Sequence, residues 1–239
     1  MNLRTMPLPF KVLATCFLLT IGVGYLFALA YLYLIDLKPH ATQGLDAVQS
    51  VIVKYYGNRD GSRLEAALEG NMRGYATPAD KQQIIRWLRH GAPEAEFDNI
   101  QPILARSCAG CHHAQSESPL PPLTSYADVS EYTAVDAGQS VKSLVRVSHI
   151  HLFGMSFIFM LTSIIFAFSG TSLVLRSVLI AIPFLAIWLD IGSWWFTKYA
   201  PAFAYTVIVG GVLMGLSLAV QIGVSLYEMW FVGVSKVQG

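Results

Sequence analysis

Apolar residues run almost without interruption through Val12–Ile35, His149–Ser169, Ser177–Trp195 and Ala202–Phe231. Each run is long enough to cross the hydrocarbon of a bilayer as a helix rising about 1.5 Å per residue. Between the first two runs the pattern changes. From Leu37 to Val147 charged and polar residues predominate, and apolar residues recur at helical spacing, as at Ile84, Ile85 and Leu88. The predicted fold class is therefore all-α: four transmembrane helices with a small helical domain inserted between helices 1 and 2. The expected domains are an N-terminal transmembrane anchor at 1–36, an extracytoplasmic domain at 37–147 and a three-helix transmembrane bundle at 148–239.

Local signals refine the polar block. Thr77-Pro78-Ala79-Asp80 places a threonine cap before a proline at the first helical position, and His90-Gly91 is a helix end, so the spacing predicts a helix over 78–90. After the linker Gly91-Ala92-Pro93, a second amphipathic helix is expected over 97–108. In the last apolar run Gly211 and Gly215 form a small-residue pair suited to close helix packing.

Composition agrees with the membrane reading: 54% of the 239 residues are hydrophobic and 13% charged, against about a quarter charged in soluble domains. A formal charge of +1 gives no nucleic-acid footprint. The first run is too long for a cleaved signal segment and reads as an uncleaved anchor. With four spans, Arg4, Lys11, Arg176 and Lys236 fall on one side, which is the cytoplasmic pattern. Trp194, Trp195, Tyr199 and Tyr205 then form an aromatic belt at the outer face. The expected location is a bacterial cytoplasmic membrane, with both termini cytoplasmic and the inserted domain periplasmic.

Of the three cysteines, Cys16 lies in an apolar run, which excludes a disulfide framework. Cys108 and Cys111 belong to Ser107-Cys108-Ala109-Gly110-Cys111-His112, a C-x-x-C-H segment. Two thiols so spaced reach the two vinyl groups of one porphyrin, and the adjacent histidine falls beneath the iron. A zinc site would want a second cysteine pair, and a redox C-x-x-C would want a βαβ setting; neither is present. Phe97–Leu104 before the motif and Leu123–Val129 after it resemble cytochrome c domains that open with a "PIL…C…CH" pattern. The resemblance covers the stretch around the motif, and only its cysteine-histidine core is highly specific. It implies one covalent haem c on Cys108 and Cys111, with His112 as the proximal ligand.

A class I cytochrome c usually carries its distal methionine downstream of the motif, but no methionine lies between His112 and Met155. Upstream, Gly70-Asn71-Met72 followed by the helix at 78–90 resembles the C-terminal half of such a domain. The order implies a circularly permuted cytochrome in which Met72 is the distal ligand. His149 or His151, at the start of the second span, is the alternative ligand. His151 and Asp190 are expected at the same membrane depth, and a hydrogen bond between them is predicted because burying either alone is costly. His149, His151 and Asp190 are also a candidate proton or quinol site, or a site for a second metal such as copper or a second haem. His113, His90 and His40 read as solvated or loop residues, with contact to a haem propionate the alternative for His113.

The leading expectation is a single-electron carrier, more a subunit or partner of a respiratory or photosynthetic complex than a stand-alone enzyme. Its partners would be the membrane, other respiratory subunits or periplasmic redox proteins. The alternatives are a quinol-oxidising module using His151 and Asp190, and a haem-based sensor.

Overall fold

The computed structural model describes residues 2–42, 44–70, 72–116 and 120–232. Asn71, in the methionine loop, and Lys236, one of the orienting charges, lie outside the described residues. The fold is all-α, and its chain order starts with α1 (Leu8–Tyr31), which continues through a π-helical stretch, Leu32–Leu37, and a last turn, Lys38–Ala41. Five short helices follow: α2 (Ala47–Tyr55), α3 (Arg63–Glu69), α4 (Pro78–Arg89), α5 (Gln101–Ser107) and α6 (Tyr126–Ser130). Three long ones close the chain: α7 (Val141–Ala167), α8 (Leu173–Thr197) and α9 (Ala204–Trp230). It divides into two compact units, Leu37–Gln139 and Met1–Asp36 with Ser140–Gly239. Among the described residues, four helices are long and apolar enough to span a membrane: Leu8–Ala41, Val141–Ala167, Leu173–Thr197 and Pro201–Trp230.

The unit boundary differs from the expected 147/148. Ser140 Oγ accepts the N–H of Ser143 at 3.2 Å and starts α7 there. The charged Lys142 and Arg146 lie in its first turns, so the helix begins well before its apolar stretch does. His149 and His151 consequently sit about two turns inside α7 at ~3.6 residues per turn, not at its start.

In the Leu37–Gln139 unit, one apolar cluster holds the helices together. Ile84, Trp87 and Leu88 of α4 join Ile103 and Leu104 of α5, with Leu64, Leu68, Phe97, Leu123 and Val129 around them. Polar contacts tie the same helices. Asp80 pairs with Arg106, Gln83 Nε2 donates to the Asn99 carbonyl at 3.4 Å, and Trp87 Nε1 to that of Pro93 at 3.0 Å. The α4 cap is as expected, with Thr77 Oγ1 accepting the Asp80 N–H at 3.2 Å. The expected helix at 97–108 is instead a 3-10 segment, Glu94–Asn99, followed by α5. Pro102 accounts for the break: it has no N–H to give to the Asp98 carbonyl, and it stands in the first turn of α5, where that N–H is not needed.

The two ends of this unit are laced together. The N–H groups of Arg63 and Leu64 donate to the carbonyls of Ala134 and Tyr132, each at 2.9 Å, and that of Gln139 to Lys54 at 2.9 Å. Gly57 and Gly138, at φ +87° and +69°, make the closest approach, where a Cβ on either would collide with the other's backbone. An insertion between two membrane helices needs such adjacent ends.

In the membrane unit α9 packs against α1, α7 and α8. Gly210 is the close-contact residue: a Cβ there would lie 2.9 Å from Asp190 Cβ and 3.1 Å from the Ala186 carbonyl. Gly211, expected in that role, meets nothing, while Gly215 lies under the Tyr25 hydroxyl. Pro183 stands inside α8 and cannot supply the N–H that would pair with the Leu179 carbonyl. Gln221 of α9, 1% exposed, supplies it instead, with Nε2 donating at 2.7 Å while Oε1 accepts from Ser163 Oγ at 3.2 Å. Lipid offers no substitute for such a bond. At the terminal end of the bundle, Lys11 Nζ donates to the Arg4 and Met229 carbonyls at 3.0 and 2.8 Å, and Arg176 to that of Ser169 at 2.7 Å. Arg4, Lys11 and Arg176 thus belong to one end of the bundle.

Candidate functional site

The C-x-x-C-H segment begins where α5 ends. The N–H groups of Cys108 and Ala109 donate to the Leu104 carbonyl at 2.8 and 2.9 Å, and those of Cys111 and His112 donate back to Cys108 at 3.1 and 2.9 Å. Cys108, Cys111 and His112 therefore lie on one tight turn. Cys108 is half-buried against the apolar cluster, and Cys111 is exposed. Both thiols are free. Burial pushes the Cys108 thiol up, opposite to the lowered thiol of a redox-active C-x-x-C.

His112 is half-buried, and its ring is fixed. Nδ1 lies 2.8 Å from the Pro121 carbonyl. A carbonyl oxygen can only accept, so Nδ1 carries a proton, and in the neutral ring Nε2 is the nitrogen with the lone pair. Holding one ring nitrogen this way orients a histidine to ligate a metal through the other. The Leu123 N–H donates to the His112 carbonyl at 3.0 Å, pinning the extended Pro121–Leu123 segment against the turn. The donor set fits a covalent haem: two free thiols, one partly sunk in the core, and an imidazole with Nε2 available.

Met72 follows α3, whose last turn ends at Gly70. Its N–H donates to Ala67 and its carbonyl accepts from Tyr75, at 2.9 and 3.2 Å. The side chain is half-buried, and it is not one of the residues that make up or pack against the unit's apolar cluster. Salt bridges brace the unit around these loops. Asp80 is held below the usual carboxylate range chiefly by its hydrogen bond from Arg106. Glu65, which is buried, accepts Arg89 Nε and Nη2 at 3.1 and 2.6 Å, and this raises the Arg89 guanidinium further.

His149 and His151 belong to the membrane unit and are exposed. The predicted His151–Asp190 hydrogen bond gives way to an arrangement around Trp194. Asp190, 9% exposed, accepts the Trp194 indole N–H at 3.2 Å. The His151 ring meets the same indole edge-on at 5.3 Å, with Nδ1 donating to its own helix at Val147, 2.9 Å away. Asp190 thus meets an N–H one turn along its own helix, a nearer donor than the imidazole on α7. Among the described residues, no three His, Cys, Asp or Glu side chains gather as a metal-binding group.

Two features escaped the sequence reading. Pro121 acts through its backbone, and only the tandem prolines Pro121-Pro122 after the motif hinted at a rigid strand there. Gln221 and Glu228 interrupt an apolar span, and polar residues inside a span are a recognised signal of structural or functional use.

Four membrane helices, three of them gathered after a polar helical insertion, define a multi-pass membrane protein. Residues 129–236 match the model of a family described as a transmembrane helical domain. That match takes in α7, α8 and α9 and leaves out almost all of the Leu37–Gln139 unit. No curated protein and no solved structure shows significant similarity to the chain.

Proposed function

We propose that the Leu37–Gln139 unit carries one covalent haem c and that the protein is a membrane-anchored electron carrier on the outer face of a bacterial cytoplasmic membrane. The observation that carries this reading is the His112 Nδ1–Pro121 contact at 2.8 Å, on the same turn as two free cysteines. In this reading Cys108 and Cys111 would hold the haem covalently through their thiols, His112 would ligate its iron through Nε2, and Met72 would be the second protein ligand. When bound, the haem supplies a one-electron iron couple. The apolar cluster beside Cys108 limits water on that side of the group, and the membrane helices confine the carrier to the surface where its partners lie. Those partners are other respiratory or photosynthetic membrane subunits, or periplasmic redox proteins.

Met72 is preferred to His149 and His151 as the distal ligand because it shares a unit with His112, whereas the two histidines belong to the membrane unit. A second reading is quinol oxidation at His151 and Asp190, supported by the contacts that both make with the Trp194 indole.

The test uses full-length protein made in a bacterium with an active periplasmic haem-attachment system. Haem should stay on the polypeptide through denaturing electrophoresis and be lost in the Cys108→Ser, Cys111→Ser double variant. A bare wild-type chain would reject the proposal. Reduction by added quinol alone, abolished by His151→Ala, would favour the second reading.

A further inference from the structure

Helix α7 carries the cations of its first turns on one side. Lys142, Arg146 and His149 are exposed, and at ~3.6 residues per turn they fall with Phe153 and Met160 within about 60° around the helix axis. The side that packs into the bundle is another one, where Leu144, Ser148, Phe159 and Thr162 are buried. Neither Lys142, Arg146 nor His149 makes a side-chain hydrogen bond or ion pair among the described residues. Their depth is set by a neighbour in the same unit. Ser148 Oγ accepts the indole N–H of Trp195 at 3.1 Å, and Trp195 stands in the last turn of α8, near the exposed Tyr199. Tryptophan and tyrosine gather where membrane meets water, so Ser148 marks that boundary. Arg146 and Lys142 stand about 3 and 9 Å beyond it along the axis, spanning a headgroup layer of roughly 5–8 Å.

We propose that this face of α7 binds an anionic phospholipid, of the phosphatidylglycerol type, in the leaflet at that end of the bundle. Arg146 offers paired guanidinium N–H groups to the phosphodiester, Lys142 adds a compact ammonium, and His149 supplies an imidazole N–H from the hydrocarbon side. The acyl chains run along Phe153 and Met160, which are 69% and 44% exposed. His149 to Met160 covers about 17 Å of helix axis, close to the half of a ~30 Å hydrocarbon core that one leaflet fills. A soluble anion would gain nothing from the apolar continuation, and an acidic protein partner would have to enter the bilayer to use it. A molecule with an anionic head and apolar chains matches both parts of the face. His151 is not part of it, since its ring packs on Trp194 toward α8. None of this depends on a haem.

The test places the full-length protein in phosphatidylcholine vesicles carrying a trace of chain-spin-labelled phosphatidylglycerol or phosphatidylcholine, and reads the motionally restricted fraction of each label by electron paramagnetic resonance. The wild type should restrict phosphatidylglycerol with a several-fold higher association constant than phosphatidylcholine. The Lys142→Gln, Arg146→Gln double variant should lose most of that excess, whereas Lys142→Arg, Arg146→Lys should keep it. The replaced side chains are exposed and pair with nothing in the fold, so melting temperatures should match that of the wild type, which separates lost lipid binding from lost folding. Equal restriction of the two lipids by the wild type would overturn the proposal. So would an excess that survives in the glutamine variant. An excess abolished by inorganic phosphate, but not by sodium chloride at equal ionic strength, would assign the cations to a soluble anion and overturn it as well.

Discussion

A single hydrogen bond decides the chemistry available to His112. With Nδ1–H given to the Pro121 carbonyl, Nε2 is the only ring atom left to ligate. The cysteines and the histidine were legible from their spacing; Pro121 was not, because a backbone carbonyl contacted across a loop leaves no mark on residue type. Met72→Ala should retain the covalent haem and alter its optical and magnetic spectra, and an unchanged spectrum would remove Met72 from the iron. The Asp80–Arg106 pair gives a pH signature. Because the folded-state pKa of Asp80 is lowered, its contribution is fully present above the ordinary carboxyl pKa of about 3.9 and fades as pH falls through the lower folded value. The difference in melting temperature between wild type and Asp80→Asn should therefore be steady near neutrality and shrink in strong acid.

The four spans and α4 followed from hydropathy and caps, whereas α2, α3 and α6, most helix ends and the contacts did not. Helix α7 starts at Val141 because Ser140 caps it, a cue outweighed in a hydropathy pattern by Lys142 and Arg146. Gly210 rather than Gly211 meets α8, since the motif gives spacing but not which face meets a neighbour. The Pro183–Gln221 link is likewise a tertiary fact. Gln221→Leu should leave the Leu179 carbonyl unpaired and cost about 1–3 kcal/mol. In a Pro183→Ala background, where residue 183 regains an N–H for that carbonyl, the same substitution should cost much less. Thermal or denaturant unfolding in detergent measures the cycle, and equal costs in both backgrounds would contradict the link.

At the scale of the molecule, the chain combines a membrane unit with a helical insertion whose two ends are bound to each other around Gly57 and Gly138. The alternation of apolar and polar blocks made this division readable. Its exact border was not, because the two segments that close the insertion pair through their backbones. Gly138→Ala places a Cβ against the Tyr55 carbonyl at a positive φ, so it should destabilise the insertion while leaving the membrane helices folded, as seen by faster proteolysis within 37–139. The permuted order, with the Met72 loop before the attachment turn, is compatible with such closed ends.

The intact mass of the purified full-length protein tests the central claim most directly. The account predicts the polypeptide plus one haem, with both Cys108 and Cys111 unreactive toward thiol reagents under denaturing conditions. A mass equal to the bare chain, with both thiols labelled, would contradict it.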